Sequence, residues 1–418
     1  MDVHREWCEV AIAEAGQVRL GGRVKAEPEA LELFAQSLAP DDQVVLEATF
    51  GAARIAEIIE PHVARVVVAD PRRLAKADSR KTDRRDARKL AQLLASGFLD
   101  EVWTPDEATR SLRRLVARRA SIVRARTRAK NEVHAALGRN LCPRPPMKDL
   151  FGKAGRRWLA EVELPEEEQI TVDGCVRQID FSGEELEEID RILAKRALAS
   201  PEARRLMTVP GVNVQTAVGF LASVGEVRRF PSPKKLVAYL GLDPRVRQSG
   251  ESAARHGRIS KAGRASARHV LSESAWSVAM TPGPMKAFFE RLRARRGAQV
   301  AAVATARKLA VLFWHLLTRE EDYAFARPSM TRQKLRALEL ATGAKPQRGR
   351  QHDEGPLRNP KIRGAERRVS EQGEIAYRRL TANWQPRKKG AGATRERASR
   401  GPSSGQAARQ GSAPEPAL

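Results

Sequence analysis

The sequence is poor in cysteine. Its 418 residues include only three cysteines, Cys8, Cys142 and Cys175, and these are far apart. Without a CxxC pair or a cluster of cysteine and histidine, the sequence lacks the ligand spacing of a structural zinc site and the paired cysteines of a disulfide-rich secreted domain. We therefore expect reduced cysteines with structural roles.

Long hydrophobic runs are missing too. No uninterrupted run reaches the roughly 18 apolar residues that a membrane-spanning helix needs. The first residues are polar, which is not typical of a signal peptide. We expect a cytoplasmic protein that has no membrane partner.

Acidic residues are scarce relative to basic ones. The chain has 51 Asp and Glu against 76 Lys and Arg, which gives a formal net charge of +25 and a pI of about 10.8. This excess is larger than solubility requires, and it indicates a polyanionic partner. Nucleic acid is the predicted partner, and an anionic membrane surface is the competing interpretation.

The chain is long enough for two or three domains, and the first is predicted over residues 1–100. Strand-like and helix-like runs alternate there in the order ββαβαβα, which suits a mixed α/β sheet flanked by helices and is the ribonuclease-H-like topology. The predicted strands are Glu9–Ala13, Val18–Val24, Gln43–Glu47 and Val63–Ala69. The predicted helices are Pro28–Leu38, Ala52–Glu60 and one that closes the unit near Leu94.

Two aspartates mark the start of the last helix of this unit. Asp83 and Asp86 lie three residues apart and share one helix face, and carboxylates this close repel each other unless a cation lies between them. Hard divalent ions such as Mg²⁺ or Mn²⁺ take oxygen ligands of this kind. In a ribonuclease-H-like fold, acids at strand ends converge with this helix, so Asp2 and Glu47 are the candidate partners. Alternatively, the two aspartates lie on a solvated face and balance neighbouring arginines.

Asp2 would lie on the first strand, but only Met1 precedes it. A central strand normally has about five residues. Two interpretations stay open: the start of the chain lies upstream of Met1, or the fold tolerates a short first strand at some cost to the metal site.

Residues 101–200 are predicted to form a helical coiled-coil spacer. Arg110–Leu137 and Glu184–Leu198 have the periodicity of two long amphipathic helices, separated by a loop-rich segment from Pro143 to Gly183. The first helix is rich in arginine, which suggests contact with phosphates. The arginines assigned to this contact are Arg113, Arg114, Arg118 and Arg119. The competing interpretation is a plain helical linker.

An apolar turn, within Leu206–Ala217, leads into a further helix. Helix-hairpin-helix elements place the backbone N–H groups of such a hairpin against a DNA phosphate. Here Gly211 is followed by Asn213 in place of a second glycine, and Asn is the next best residue for a left-handed backbone. Gly211 and Asn213 are therefore candidate DNA contacts, although a plain turn has the same pattern.

A strongly basic loop surrounds Ser249, which precedes Gly250. A hydroxyl in such a loop could attack a phosphodiester while cations hold the developing charge. The candidate nucleic-acid contacts around it are Arg245, Arg247, Arg255, Arg258 and Lys261. The competing interpretation is an ordinary turn serine.

Taken together, these motifs resemble the DEDD transposases of bacterial insertion sequences, the family of bridge-RNA-guided serine recombinases. The RuvC-like half of that family is matched by Asp2-Val3-His4, Glu47-Ala48-Thr49-Phe50-Gly51 and Lys81-Thr82-Asp83-Arg84-Arg85-Asp86-Ala87. Its C-terminal transposase half is matched by Val209-Pro210-Gly211-Val212, Tyr239-Leu240-Gly241-Leu242 with Pro244, Gln248-Ser249-Gly250 and Ile259-Ser260-Lys261-Ala262-Gly263. The resemblance covers about residues 1 to 325.

The resemblance implies a DNA transposase that cuts and rejoins DNA under the guidance of a structured bridge RNA, as a homodimer or homotetramer. It implies that Ser249 is the nucleophile, within a mainly helical transposase domain at 201–326. The implied ligands of Mg²⁺ or Mn²⁺ are Asp2, Glu47, Asp83 and Asp86. Arg5, where the family usually has Lys, and Asn213 depart from its pattern.

Two other functions stay open on the residues alone. A RuvC-like metal-dependent nuclease or junction resolvase would keep the four acids and would not need Ser249. A non-catalytic nucleic-acid-binding protein would need neither the acids nor the serine.

Residues 327–418 lose the hydrophobic periodicity and are rich in Arg, Lys, Gly, Pro, Gln and Ser. Such a composition cannot bury a core. We therefore expect a disordered basic tail that binds nucleic acid loosely, in which Arg332–Ala341 could form a short helix.

Overall fold

A computed structural model describes residues 1–49, 51–70, 82–99, 101–250, 252–345 and 359–382 of the chain. Most of these residues are helical, and the described strands lie in an N-terminal unit and in one hairpin of the C-terminal half. This arrangement agrees with the predicted combination of an α/β unit and helical units.

The N-terminal unit is built on a sheet. Its described strands are β1 (Asp2–Val3), β2 (Trp7–Glu14), β3 (Gln17–Lys25), β4 (Gln43–Glu47) and β5 (Arg65–Ala69). The first three form an antiparallel meander, and β4 is parallel to β5. The Met1 amine donates to the Val45 carbonyl at 2.6 Å, and the Glu47 N–H donates to the Met1 carbonyl at 3.3 Å. Bonds of this pattern join parallel neighbours. They place β1 of the three-stranded sheet beside β4 of the two-stranded sheet, which gives the order β3-β2-β1-β4-β5.

Helices cover both faces of this sheet. They are α1 (Pro28–Gln36), α2 (Ala52–Ile59), which continues into a 3-10 turn (Glu60–His62), and α3 (Asp83–Ala95). Val44 and Leu46 of β4 share a core with α1 and α2, whereas Val45 packs against Leu90 of α3. Alternate residues of a strand point to opposite faces, so β4 is apolar on both sides. The order of the described elements is βββαβαβα, because β1 precedes the two strands that were predicted first. From β2 onwards it matches the predicted order ββαβαβα.

The first strand has only two residues, yet Asp2 and Val3 are both buried. It pairs with β2 on one side, where Asp2 lies opposite Glu9. On its other side lies β4. A short strand is accommodated here because its two neighbours satisfy its backbone groups.

Two long antiparallel helices form the spacer. They are α4 (Glu107–Arg139), with 33 residues, and α6 (Glu166–Ala199), with 34 residues, and α5 (Lys153–Glu161) lies between them in the chain. Arg139 pairs with Glu168 at one end, and Arg119 pairs with Asp190 towards the other. The two helices are therefore confirmed as a pair, whereas the knobs-into-holes packing of a coiled coil stays a prediction.

The predicted loop from Pro143 to Gly183 is wrong over much of its length, because α5 and the first half of α6 occupy it. A buried apolar stripe runs through this part of α6 and includes Val172, Cys175 and Ile179. Gly174 lies inside this helix, where a glycine costs only about 1 kcal/mol relative to alanine. Burial of the stripe outweighs that cost.

The C-terminal half contains helices around a common core. They are α7 (Pro201–Met207), α8 (Val214–Val224), α9 (Pro233–Tyr239), α10 (Ala265–Ala279), α11 (Pro284–Arg296) and α12 (Ala298–Arg319), with a 3-10 turn at Val227–Arg229. Phe220 of α8 packs edge-on against Phe313 of α12, with ring centroids 5.0 Å apart. A hairpin of β6 (Pro244–Arg247) and β7 (Arg255–Ile259) lies between α9 and α10 in the chain.

One helix, α12, is long and apolar enough to span a membrane when judged by length and composition alone, with a mean hydropathy of 1.5 in its apolar window. However, 50% of that window is buried inside the protein. Leu309 and Phe313 belong to the same core as α8. Burial of this kind is typical of the central helix of a folded domain.

The predicted disorder of the tail is wrong for 327–345 and 359–382. The short helix expected near Arg332 is confirmed as α13 (Pro328–Ala341), and a further helix, α14 (Pro360–Ala382), follows. Leu338 of α13 joins the C-terminal core, and Gly373 of α14 lies against the Phe325 ring. A few well-placed contacts hold these helices, so composition was misleading. The remaining parts of the predicted tail, 346–358 and 383–418, lie outside the described residues.

Candidate metal centre and serine hairpin

Asp2 and Asp83, predicted as metal ligands, come together near the end of the central strand β1, with His4 between them. The His4 Nε2 atom lies 3.1 Å from Asp2 Oδ2 and 3.3 Å from Asp83 Oδ2. One potential ligand atom from each residue lies within 4.8 Å of the other two. The β1 strand and the first turn of α3 therefore supply two carboxylates to one small volume.

The position of Asp83 follows from the start of α3. Thr82, at the N-cap position, has an extended backbone, and Asp83 and Asp86 lie in the first turn, as predicted. Negative side chains are favourable there because the helix N-terminus carries partial positive charge. The first turn of α3 thus places Asp83 beside the buried Asp2.

Glu47 and Asp86, the other two predicted ligands, are half-buried nearby. Glu47 ends β4 beside β1, and Asp86 follows Asp83 by nearly one turn of α3. Neither belongs to the compact group that the described residues form within 4.8 Å. Their role as metal ligands stays a prediction.

Two residues of this site, His4 and Glu9, were not predicted from the sequence. His4 follows Asp2 by two positions, and a period of two keeps side chains on one face of an extended chain; that spacing was the signal for His4. Glu9 lies directly opposite Asp2 in the β1–β2 pair, and its side chain is only 3% exposed. Neighbouring buried carboxylates need compensating charge.

Two arginines supply that charge to Glu9. Arg23 Nε lies 2.7 Å from one carboxylate oxygen, and Arg84 Nε lies 3.5 Å from the other. Arg84 is the residue after Asp83 in α3. The Glu9–Arg84 contact therefore joins the first turn of α3 to the sheet. Arg84 thus pairs with Glu9 and does not only balance the aspartates of its own helix.

The residues present fit a divalent metal ion. When an ion lies about 2.1 Å from its ligand atoms, ligand atoms at right angles are about 3.0 Å apart and tetrahedral ligand atoms are about 3.4 Å apart. The two distances of 3.1 and 3.3 Å around His4 fall in this range. Carboxylate oxygens are also the donors that Mg²⁺ and Mn²⁺ accept.

Ser249 lies in the connection between β6 and β7 and is exposed. Its carbonyl oxygen accepts a hydrogen bond from the Ser252 hydroxyl at 2.6 Å, which shapes the loop. Gly250 has a positive φ of 54°, and a methyl group in place of its hydrogen would meet no other atom within 4 Å. The hydroxyl and its glycine are thus open to a large ligand.

Basic residues line the hairpin on both strands. Arg247 lies directly opposite Arg255 in the β6–β7 pair, an arrangement that is destabilising without an anion. Arg258 and Lys261 are exposed, and Arg245 is exposed apart from a 3.2 Å bond to the Ser260 carbonyl. Among the described residues, no acidic side chain forms an ion pair with Arg247 or Arg255.

Two family models match the two halves that carry these features. The first model, the DEDD transposase of IS110, matches residues 1–140. The second, described as the Transposase IS116/IS110/IS902 family, matches residues 203–290. The chain belongs to this transposase family. The first match includes the Asp2–His4–Asp83 group, and the second includes Ser249.

Curated relatives of the family are similar over shorter stretches. A putative transposase of Sinorhizobium fredii is 34% identical over 46% of this chain and 47% of its own length. The transposase for insertion sequence element IS1111A of Coxiella burnetii is 36% identical over 30% of this chain and 36% of its own length. A probable family 20 transposase of Pseudomonas aeruginosa is 30% identical over 52% of this chain and 65% of its own length. The chain thus spans about half the length, or less, of the first two relatives.

The four arginines predicted to bind nucleic acid on α4 have partners within the chain. Arg113 donates to the Ala222 and Ser223 carbonyls at 2.7 and 3.1 Å, and burial lowers the pKa of its guanidinium. The carboxylate partners of the others are Glu107 for Arg114, Glu185 for Arg118 and Asp190 for Arg119. Their contact with nucleic acid stays a prediction. Arg124 and Arg128, further along α4, are exposed and form no ion pair within the described part of the chain.

The hairpin between α7 and α8 differs from its predicted geometry. Asn213 has an extended backbone with φ −107°, so the left-handed conformation expected for it is wrong. Its side chain instead caps α8 by accepting from the Thr216 N–H at 2.9 Å. Gly211 does have a positive φ of 87°, and it packs against the backbone of Val278 in α10. DNA contact by Gly211 and Asn213 stays a prediction.

Proposed function

We propose that the protein is the transposase of an insertion sequence, an enzyme that cuts and rejoins DNA. The observation that carries this proposal is the convergence of Asp2 and Asp83, from opposite ends of the N-terminal unit, on one small polar site. Burial of Asp2 would be unfavourable without a positive partner. A bound cation would be that positive partner, as expected in a family of enzymes that cut DNA.

The N-terminal unit has a RuvC-like, ribonuclease-H-like fold in this proposal. The strand order β3-β2-β1-β4-β5, with helices on both faces, supports it. In such a fold the central strand β1 and the last helix carry acids side by side. Asp2 and Asp83 lie on those two elements.

Mg²⁺ or Mn²⁺ would be held by Asp2 and Asp83, with Glu47 and Asp86 completing the ligand set. A bound ion would supply charge stabilisation for the departing oxygen of a phosphodiester. The chain itself supplies the scaffold: Glu9 and Arg84 fix the first turn of α3, and the β1–β4 bonds fix Asp2. Such preorganisation is what positions reacting groups.

Ser249 is the proposed nucleophile. Its Oγ attacks a backbone phosphorus, an Oγ–P bond forms, and one P–O bond to a deoxyribose breaks. The hydroxyl loses its proton, and the departing sugar oxygen gains one. No atom changes its oxidation state, and the reverse of this step rejoins the strand. Arg247 and Arg255, facing each other across the hairpin, would hold the phosphate oxygens.

For this reaction, the metal site and the β6–β7 hairpin must contact the same phosphate. Ser249 lies on an exposed loop of the C-terminal half, whereas Asp2 lies in the N-terminal unit. A homodimer or homotetramer could complete the site between protomers. Besides DNA, we propose a structured guide RNA as partner, for which Arg124 and Arg128 of α4 are better placed than the paired arginines before them.

Three variants test the proposal. Full-length protein is incubated with labelled DNA carrying the element ends, the non-coding RNA transcribed beside the gene, and Mg²⁺ or Mn²⁺. Wild type should cleave, Asp83→Asn should not, and Ser249→Ala should bind DNA without cleaving it. Ser277→Ala, which removes an exposed hydroxyl from α10 of the same half of the chain, should cleave.

Three outcomes would contradict the proposal. Equal cleavage by wild type and Ser249→Ala, with none by Asp83→Asn, would favour a metal-dependent nuclease or junction resolvase. Full activity in Asp83→Asn would exclude the metal site. DNA binding without cleavage in every arm would favour a non-catalytic nucleic-acid-binding protein.

A further inference from the structure

We propose that His4 is a ligand of the metal ion that Asp2 and Asp83 hold, so that the site has a nitrogen donor and prefers transition metals. This inference rests on the proposed metal site and specifies its chemistry. His4 was not among the predicted ligands, and its position emerged only from the fold.

The distances carry the proposal. Nε2 of His4 lies 3.1 Å from one aspartate oxygen and 3.3 Å from the other. An ion about 2.1 Å from three ligands would place them about 3.0 to 3.4 Å apart. A single imidazole nitrogen thus stands at ligand spacing from two carboxylates that come from different elements.

The His4 ring is held in this place by its surroundings. The His4 backbone N–H donates to the Trp7 carbonyl at 2.9 Å, which closes the turn between β1 and β2. The Trp7 ring lies beside the imidazole, with centroids 6.0 Å apart, and the Arg23 guanidinium covers the Trp7 ring at 4.9 Å. Because the turn and the indole fix the ring, Nε2 remains directed at the carboxylates.

An ion could also reach the site from solvent. The Asp2 side chain is 5% exposed, whereas those of His4 and Asp83 are 36% and 43% exposed. An ion would therefore be anchored on a buried oxygen and reached from solvent past the imidazole. The remaining positions around it face outward, where water or a phosphate oxygen can bind.

A nitrogen donor has a consequence that an all-oxygen site lacks. Mg²⁺ and Ca²⁺ take oxygen ligands, whereas imidazole favours first-row transition metals. We therefore expect the site to bind Mn²⁺ more than about tenfold more tightly than Mg²⁺. A His4 that only donates a hydrogen bond to Asp2 adds no nitrogen ligand, so the preference for Mn²⁺ would be smaller and would not change in His4→Asn.

The test uses tag-free full-length protein and Mn²⁺ alone as the probe. Pulsed electron paramagnetic resonance detects coupling of bound Mn²⁺ to ¹⁴N of a ligating imidazole, and titrations with Mn²⁺ and Mg²⁺ give the two affinities. In His4→Asn the coupling should vanish and Mn²⁺ affinity should fall about tenfold or more, the size of loss typical when ligand support is removed. Mg²⁺ affinity should change much less.

His62→Asn is the matched control, because His62 also pairs with a carboxylate, Glu32 at 2.8 Å, on the same unit. It should keep both the coupling and the preference. If wild type binds Mn²⁺ without ¹⁴N coupling, His4 is not a ligand and the metal site stands without it. If Asp83→Asn binds Mn²⁺ as wild type does, the proposed metal site and this inference both fail.

Discussion

Lys334 offers a sharp test of how the last helices belong to the fold. Its ammonium group, on α13, donates to the carbonyl oxygens of Met207, Val209 and Val212 at 2.8, 3.1 and 2.8 Å. These oxygens belong to the hairpin between α7 and α8. Burial lowers the pKa of Lys334 from 10.5 to about 8.

Lys334→Met keeps most of the side-chain length and removes all three donors. Leaving a buried acceptor unpaired costs about 1 to 3 kcal/mol. The Val209 carbonyl keeps the Val212 N–H as a donor, so the Met207 and Val212 carbonyls together suggest a loss of about 2 to 6 kcal/mol. The variant also no longer buries a charge, which offsets part of that loss. We expect a net loss of about 2 kcal/mol near neutral pH, measured as faster amide hydrogen exchange in peptides that cover 203–224.

The pH dependence has a defined sign. Because the folded pKa of about 8 lies below the ordinary 10.5, the unfolded chain holds more protons between these two values. The folded wild type therefore gains stability as pH rises from 8 towards 10.5, by at most about 3 kcal/mol, since each unit of pKa corresponds to about 1.4 kcal/mol. Lys334→Met lacks this gain, so its deficit relative to wild type should grow with pH.

Arg332→Met on the same helix is the control, because Arg332 is exposed. It should exchange like wild type at every pH. Equal exchange in Lys334→Met and Arg332→Met, or a deficit that does not change with pH, would refute the reasoning that Lys334 is buried against the hairpin.

Three further predictions concern the two sites and the hairpin at Gly211. Arg255→Thr should weaken DNA binding and reduce its salt slope by about one in filter-binding titrations, without destabilising the hairpin, because Arg247 then faces no like charge. Glu9→Gln should lower Mn²⁺ affinity about tenfold in spin-resonance titrations, because Arg84 loses its partner beside Asp83. Gly211→Ala should lower the free energy of unfolding by about 2 kcal/mol or more in urea, because its methyl group would lie 2.7 Å from the Val278 nitrogen.

Each of these has a result that would contradict it. Unchanged salt dependence in Arg255→Thr would show that this arginine does not contact phosphate. Unchanged Mn²⁺ affinity in Glu9→Gln would show that the Glu9–Arg84 contact does not position Asp83. A wild-type urea transition in Gly211→Ala would contradict the close packing of the hairpin on α10.

The sequence was sufficient for features that depend on local pattern. Alternating or short continuous apolar runs placed β2 to β5, and the acidic first turn placed the start of α3 at Asp83. Motif order then placed Asp2 and Asp83 in one unit. These predictions succeeded because period and capping are encoded within a few residues.

Other features depend on contacts between distant segments. Nothing near Lys334 announces three carbonyl acceptors more than 120 residues away, and the basic composition around it therefore suggested disorder. Glu9 looked like an ordinary strand residue until the β1–β2 register set it opposite Asp2. Asn213 was expected to be left-handed, but the demand for an N-cap on α8 decided its backbone.

The most direct measurement of the central claim is the site of covalent attachment to DNA. Wild type is trapped with labelled element-end DNA, guide RNA and Mn²⁺, digested with protease and nuclease, and examined by mass spectrometry. Our account predicts a nucleotide attached to Ser249, absent in both Ser249→Ala and Asp83→Asn. Cleavage with an adduct on another residue, or with no adduct at all, would contradict it.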